Sequence, residues 1–281
     1  MMATQTKRPA MLSVAGSDPS GGAGIQADLK TATALKVYGA AVLTSLTAQN
    51  TQGVTGIHPV PAEFVIEQYE AVVTDLDVAA VKIGMLGTAD VVVALADAIR
   101  AHDPFDVVLD PVMVATSGDR LVPEDTVDAI REHLLPLATV VTPNLPEAAV
   151  LAGIDEPTDR ESMIEAAESL RSLGARAALV KGGHNIDEYA LDILVDAEGP
   201  SGYAAHRVDT DNTHGTGCTL SSAIASYLTY PMPLREAMQG AKHYVSGALE
   251  SAASWTIGDG RSPVNHLWEL EGGLPPKETD H

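Results

Sequence analysis

The chain has 281 residues, 45% of them apolar and 20% charged, with 17 basic against 38 acidic side chains for a net charge of −21. That size fits one large α/β domain or two smaller ones with a substantial core, and the balance is that of a globular chain, not a disordered one. The acidity excludes a protein built to coat nucleic acid or anionic lipid, and no apolar run approaches the ~18 residues of a membrane span. In chain order, apolar β-rich runs predict strands at 11–15, 41–46, 78–83, 107–109, 139–142, 177–180 and 191–195. Helical spacing is expected between them, first through Asp28 and Lys36, then over 62–75, 89–101 and 162–173. Two long helices, near 219–228 and 234–254, close the chain. Strands apolar throughout and separated by helices imply a mostly parallel sheet covered on both faces. Residues 191–195 and 203–208 have no long helix between them, so an antiparallel hairpin is expected at one edge. No repeat or linker divides the chain, which reads as one domain over 1–281 with a core over about 8–266 and a frayed tail over 272–281. In such a sheet ligands gather beyond the carboxyl ends of the strands.

The single cysteine, Cys218, excludes an internal disulfide, and residues 1–10 hold no apolar signal core; both suit a cytoplasmic protein. Only 7 of the 17 basic residues are Lys. A surface rich in carboxylates and poor in Lys suits a cytoplasm at high salt, where screening removes self-repulsion. An ordinary acidic enzyme from a low-salt host is the alternative.

The first strand runs into Gly16-Ser-Asp-Pro-Ser-Gly-Gly-Ala-Gly24. Glycines there let backbone approach a ligand closely. A Walker A loop would end in Gly-Lys-Ser/Thr, and none is present. A dinucleotide fingerprint, matched superficially by Gly22-x-Gly24-x-x-Ala27, needs an acidic residue about 20 positions later for the ribose. Residues 29–62 contain no Asp or Glu, so that reading fails. After the second strand comes Thr47-Ala-Gln49-Asn50. The Gln49 amide offers a donor and an acceptor side by side, which suits a neutral heterocycle; the alternative is that Gln49 and Asn50 merely satisfy loop backbone groups.

The second glycine cluster is Asn212-Thr-His-Gly-Thr-Gly-Cys-Thr219, opening an apolar helix. Such a turn presents unpaired N–H groups at the positive end of a helix dipole and suits an oxyanion, or else it only needs small residues for packing. Cys218, in the first helical turn, is either a dipole-stabilised thiolate or a small buried residue. Three further strand ends carry Asp110-Pro-Val-Met113, Asn144-Leu-Pro-Glu147 and Lys181-Gly-Gly-His184. Together these supply an anion hole, a cation, metal-directed carboxylates and an amide for a ring, which is the inventory of phosphoryl transfer.

These motifs, with Lys82-Ile-Gly-Met-Leu86 and the flanking stretches Ala15 to Lys30 and Val180 to His184, resemble the hydroxymethylpyrimidine/phosphomethylpyrimidine kinases. That is the thiamine-biosynthesis branch of the ribokinase-like superfamily, and the likeness runs from Arg8 to His266 in order. The resemblance implies a ribokinase-like α/β fold and often a homodimer. It also implies two successive ATP- and Mg²⁺-dependent phosphorylations, first of 4-amino-5-hydroxymethyl-2-methylpyrimidine and then of its monophosphate. It places Gln49 on the pyrimidine, with Asp28, Gly16, Thr47 and Met85 lining that pocket. Gly215, Gly217 and Cys218 fall on the anion-hole turn, and Lys181, Asn144 and Thr213 on the ATP side. Asp110 and Glu147 fall on the metal side, and Cys218 stands where the sugar kinases carry an Asp base. A pyridoxal-type vitamin kinase is the nearest alternative, and a non-catalytic pyrimidine sensor the more distant one.

Overall fold

The computed structural model describes residues 8–102, 105–113, 123–182 and 189–273. The polar stretches 114–120 and 185–188, His184, and 274–281 of the tail lie outside these residues. Nine strands form one sheet in the order β3-β2-β1-β4-β5-β6-β7-β8-β9. Strands β1 (Ala10–Ser17), β2 (Tyr38–Asn50), β4 (Val78–Ile83), β5 (Asp106–Leu109), β6 (Val140–Val141) and β7 (Ala178–Lys181) run parallel. The expected hairpin at one edge is β8 (Tyr189–Asp196) with β9 (Gly199–His206), both antiparallel to their neighbours.

Alternation along the parallel strands divides the core. Leu12, Val14, Val81, Ile83, Val107, Leu109 and Val180 face one apolar cluster. Met11, Ala80, Val108 and Leu179, the residues between them, face the other. The first face is covered by α2 (Ala62–Val73), α3 (Ala89–His102), α4 (Glu124–Ala129), α5 (Leu145–Ala152) and α6 (Arg160–Ser172). The second is covered by α1 (Gly24–Ala34), α7 (Thr216–Leu228) and α8 (Leu234–Ala252). This is the three-layer arrangement that buried parallel strands require. No described helix is long and apolar enough to cross a membrane.

The opposite edge differs from expectation. The second strand continues through Gln49 to Asn50, and β3 (Gly53–Pro59) folds back antiparallel to it. The Asn50 side chain accepts from the N–H groups of Gln52 and Gly53 and closes the turn between them. β3 is half or fully exposed along its length, so no buried stripe marks it in the sequence. At the other edge β9 lies earlier than 203–208, because Asp196 accepts from Glu198 N–H and Gly199 takes the positive φ that turns the hairpin.

Candidate active site

Strand β1 lies between β2 and β4, so the chain crosses over to opposite sides at its two neighbours; this is the switch point where an α/β sheet opens a crevice. A cavity of about 990 Å³ lies there, beyond the carboxyl ends of the parallel strands and under the start of α7. Its wall contains Gly16, Thr47, Gln49, Met85, Asp110, Asn144, Glu147, Lys181, Thr213, Gly215, Gly217 and Cys218, so the structure brings these sequence candidates together.

Asp28 is the exception and corrects the expectation that it lines this pocket. It is fully buried on α1, one layer behind the wall. Its Oδ2 accepts from Ser13 Oγ at 2.6 Å and its Oδ1 from Ser222 Oγ at 2.6 Å, while Lys82 Nζ stands 2.9 and 3.0 Å from the two oxygens. With both oxygens saturated, the carboxylate serves Lys82, and it is Lys82 that borders the cavity.

The first glycine loop is knotted around Asp18. One carboxylate oxygen accepts from Ser20 N–H and Oγ; the other accepts from Gly22 and Ala23 N–H and pairs with His214 Nε2 at 2.8 Å. That contact ties the first loop to the second across 196 residues of sequence. Burial works most strongly against the Asp18 charge, but the bonds from His214 and Ser20 together outweigh it and hold the carboxyl below its usual range. Thr47 donates to Ser17 O at 2.8 Å and lies 3.1 Å from Gln49 Oε1, which fixes the amide opposite a bulge in β3 at Thr55.

Gly215 caps α7 with φ +81°, and an added Cβ there would run into Gly22 O, so both glycines are needed for the loops to meet. Gly217 and Cys218 follow in the first helical turn, where backbone N–H groups lack helical acceptors and favour an anion. A Cβ on Gly217 would stand 3.4 Å from Lys181 Nζ, so the turn and the cation share one subsite. Lys181 Nζ is 3.0 Å from Asp110 Oδ1, and Asp110 also accepts from Thr142 Oγ1 and from Ser221 Oγ of α7. Burial works against the Asp110 charge, but Lys181 and Lys82 hold it below the carboxylate norm.

Asn144 and Glu147 form the capping box of α5: Asn144 Oδ1 accepts from Glu147 N–H at 2.9 Å and Glu147 Oε2 from Asn144 N–H at 2.8 Å. Burial pushes the Glu147 carboxyl up to about 7; Asp110 adds to the rise and Lys181 only partly opposes it. Burial likewise pushes the Cys218 thiol up to about 11 despite Lys82 nearby, so it is a neutral thiol at pH 7.

Among the charged wall residues, Asp18, Lys82, Asp192 and Lys242 were not sequence candidates. Lys242 of α8 pairs with Asp192 of β8 at 2.7 Å, and Asp192 also accepts from Gly182 N–H. Lys82 and Asp192 had a signal, a lone charge inside an otherwise apolar strand, since unpaired charges are almost never fully buried.

The comparisons agree with this geometry. The family model described as phosphomethylpyrimidine kinase matches residues 18–265. The hydroxymethylpyrimidine/phosphomethylpyrimidine kinase of Rhizobium meliloti is 52% identical over 256 residues, covering 91% of this chain and 96% of that protein. An ADP complex of Bacillus subtilis pyridoxal kinase superposes with a TM-score of 0.87 at 36% identity, covering 94% of this chain and 99% of that one. The phosphomethylpyrimidine kinase from Clostridium difficile 630 gives a TM-score of 0.77 at 39% identity, covering 86% of this chain and all of that one. A chain matched over nearly its whole folded length, with two glycine loops meeting over a lysine–aspartate pair at the sheet's switch point, belongs to the phosphomethylpyrimidine kinase family.

Proposed function

We propose that the protein transfers the γ-phosphoryl group of ATP to the hydroxymethyl group of 4-amino-5-hydroxymethyl-2-methylpyrimidine, and then a second one to the monophosphate. The observation that carries this reading is one continuous chamber, with the Gln49 amide in one wall and the Gly215–Cys218 turn and Lys181 in another. The hydroxyl oxygen attacks phosphorus, the bond to the bridging oxygen of ADP breaks, and the hydroxyl proton is released. Catalysis of such a transfer is mostly placement and charge stabilisation. Gln49 orients the ring, the first-turn N–H groups of α7 and Lys181 take the charge on the moving group, and Asn144 with Thr213 borders the nucleotide phosphates. Cys218, held neutral, orients the hydroxyl and does not deprotonate it.

The residues present fit Mg²⁺ as a companion of the nucleotide. Among the described residues no cluster of three ligating side chains exists, and Mg²⁺ ordinarily takes only one or two carboxylates beside phosphates and water. Asp110 and Glu147 are those carboxylates, and the raised Glu147 is the group whose ionisation a nearby cation would favour. Bound there, Mg²⁺ would neutralise phosphate charge. We extend the reading to a cytoplasmic homodimer adapted to high salt, supported by the family resemblance and by the acidic, Lys-poor composition.

One observation favours a second reading, phosphorylation of pyridoxal: the likeness to the Bacillus subtilis pyridoxal kinase. Mass spectrometry of reactions with ATP, Mg²⁺ and either the hydroxymethylpyrimidine or pyridoxal separates them. Monophosphate followed by diphosphate from the pyrimidine is expected. Product from pyridoxal alone would replace the first reading with the second.

A further inference from the structure

Two lysine–aspartate pairs lie under the first turns of α7, and adjacent serines of that helix hold them. Ser221 Oγ donates to Asp110, the partner of Lys181; Ser222 Oγ donates to Asp28, the partner of Lys82. Residues four apart share a helix face. Gly217 therefore stands one turn above Ser221 on the Lys181 side, as its nearness to Lys181 Nζ confirms. Cys218 stands one turn above Ser222, on the Lys82 side. Only the lysine of the second pair borders the cavity, so that pair turns its positive end toward the site.

Resting on the kinase reading above, we propose that Lys82 is a positioning residue for the accepting hydroxyl. Its ammonium, anchored by Asp28 beneath the Cys218 turn of α7, polarises the neutral thiol beside which that hydroxyl lies, while Lys181 serves the transferring phosphate. Lys82 and Asp28 are both fully buried. A pair so desolvated adds little net stability over an apolar pair of the same shape, yet in a low-dielectric interior its field on a neighbour is strong. The groups acting on the thiol come from every side: Lys82 of β4, Asp28 of α1, Asp110 after β5, Lys181 of β7 and the Gly24 N–H. Among the charged groups Lys82 acts most strongly on Cys218, ahead of the opposing Asp28 and Asp110. Lys82 also helps hold Asp110 ionised.

Cys218 is the chain's only cysteine, so iodoacetamide alkylation reports on it alone. The pH profile of alkylation is measured on the full chain as wild type, Asp28→Asn, and the neutral pair Lys82→Met/Asp28→Asn, with melting curves alongside. Asp28→Asn keeps the cation and loses its opponent, so the alkylation midpoint falls; the neutral pair loses both, so the midpoint rises by about half a pH unit or more. Loosening of the fold would instead lower both midpoints by exposing the thiol. With pyrimidine as acceptor, the neutral pair is expected to lose about tenfold or more in kcat with KM for ATP within about twofold of wild type. A midpoint unmoved or lowered in the neutral pair, or a raised midpoint with normal kcat, overturns the proposal. A wild type that phosphorylates no pyrimidine overturns the kinase reading instead, while opposite midpoint shifts still establish the Lys82–Cys218 coupling.

Discussion

Glu147 sits in an environment that its neighbours in sequence do not suggest. The capping box alone would favour its charge, but burial and Asp110 push its carboxyl from the usual value up to about 7. The folded protein therefore binds this proton more tightly than the unfolded chain does. The resulting penalty is absent below about pH 4.5, grows as pH rises, and is complete above about pH 7. Glu147→Gln keeps the cap acceptor without the charge, so it should raise the melting temperature at pH 8 and leave it nearly unchanged at pH 4.5. Calorimetric scans across that range, without nucleotide, check the sign. The strand-end motifs made Glu147, Asp110 and Lys181 legible in the sequence, because a parallel sheet puts all its carboxyl ends at one edge. Asp28 was misplaced because the sequence does not fix how α1 is rotated about its axis. Once Ser13, Ser222 and Lys82 surround the carboxylate, it faces the sheet and not the cavity.

At the scale of elements, the junction of the two glycine loops is tightly constrained. Gly215 combines a left-handed backbone with Gly22 O standing where a Cβ would go, and the Asp18–His214 contact locks the same junction. Gly215→Ala should cost about 1–3 kcal/mol of stability from backbone strain alone, and more from the clash. It should also displace Gly217 and Cys218, so kcat should collapse; denaturant unfolding with a steady-state assay measures both. The central strands were readable because each is a short apolar run with no polar face to confuse its period. β3 was not readable, because Gly53, Gly56 and Pro59 punctuate it and neither face is buried. What makes β3 a strand is the register of β2, a tertiary partner that no local pattern announces.

Taken whole, the molecule draws lysines inward into ion pairs. Three of its seven lysines, Lys82, Lys181 and Lys242, are spent in ion pairs at the cavity, so the outer surface is poorer in ammonium groups than the composition suggests. An acidic shell surrounds an interior whose lysines are neutralised by Asp28, Asp110 and Asp192. The shell repels itself and the incoming nucleotide alike, and added salt screens both effects. Molar KCl should therefore raise the melting temperature by several degrees; a melting temperature that ignores salt would oppose the high-salt adaptation. The acidity was plain from composition, but the inward placement of the lysines needed the fold.

The adjacent serines of α7 bear on how such a protein can diverge. Ser221 and Ser222 lie about 100° apart around the helix axis, so Asp110 and Asp28 grip the helix at two points. One residue inserted or deleted between Gly215 and Ser221 would turn both hydroxyls away together and release both lysine pairs at once. The two halves of the frame are thus inherited jointly. On the kinase reading proposed above, a descendant would exchange its acceptor by single substitutions near Gln49 and Met85 in the cavity wall, without sliding α7.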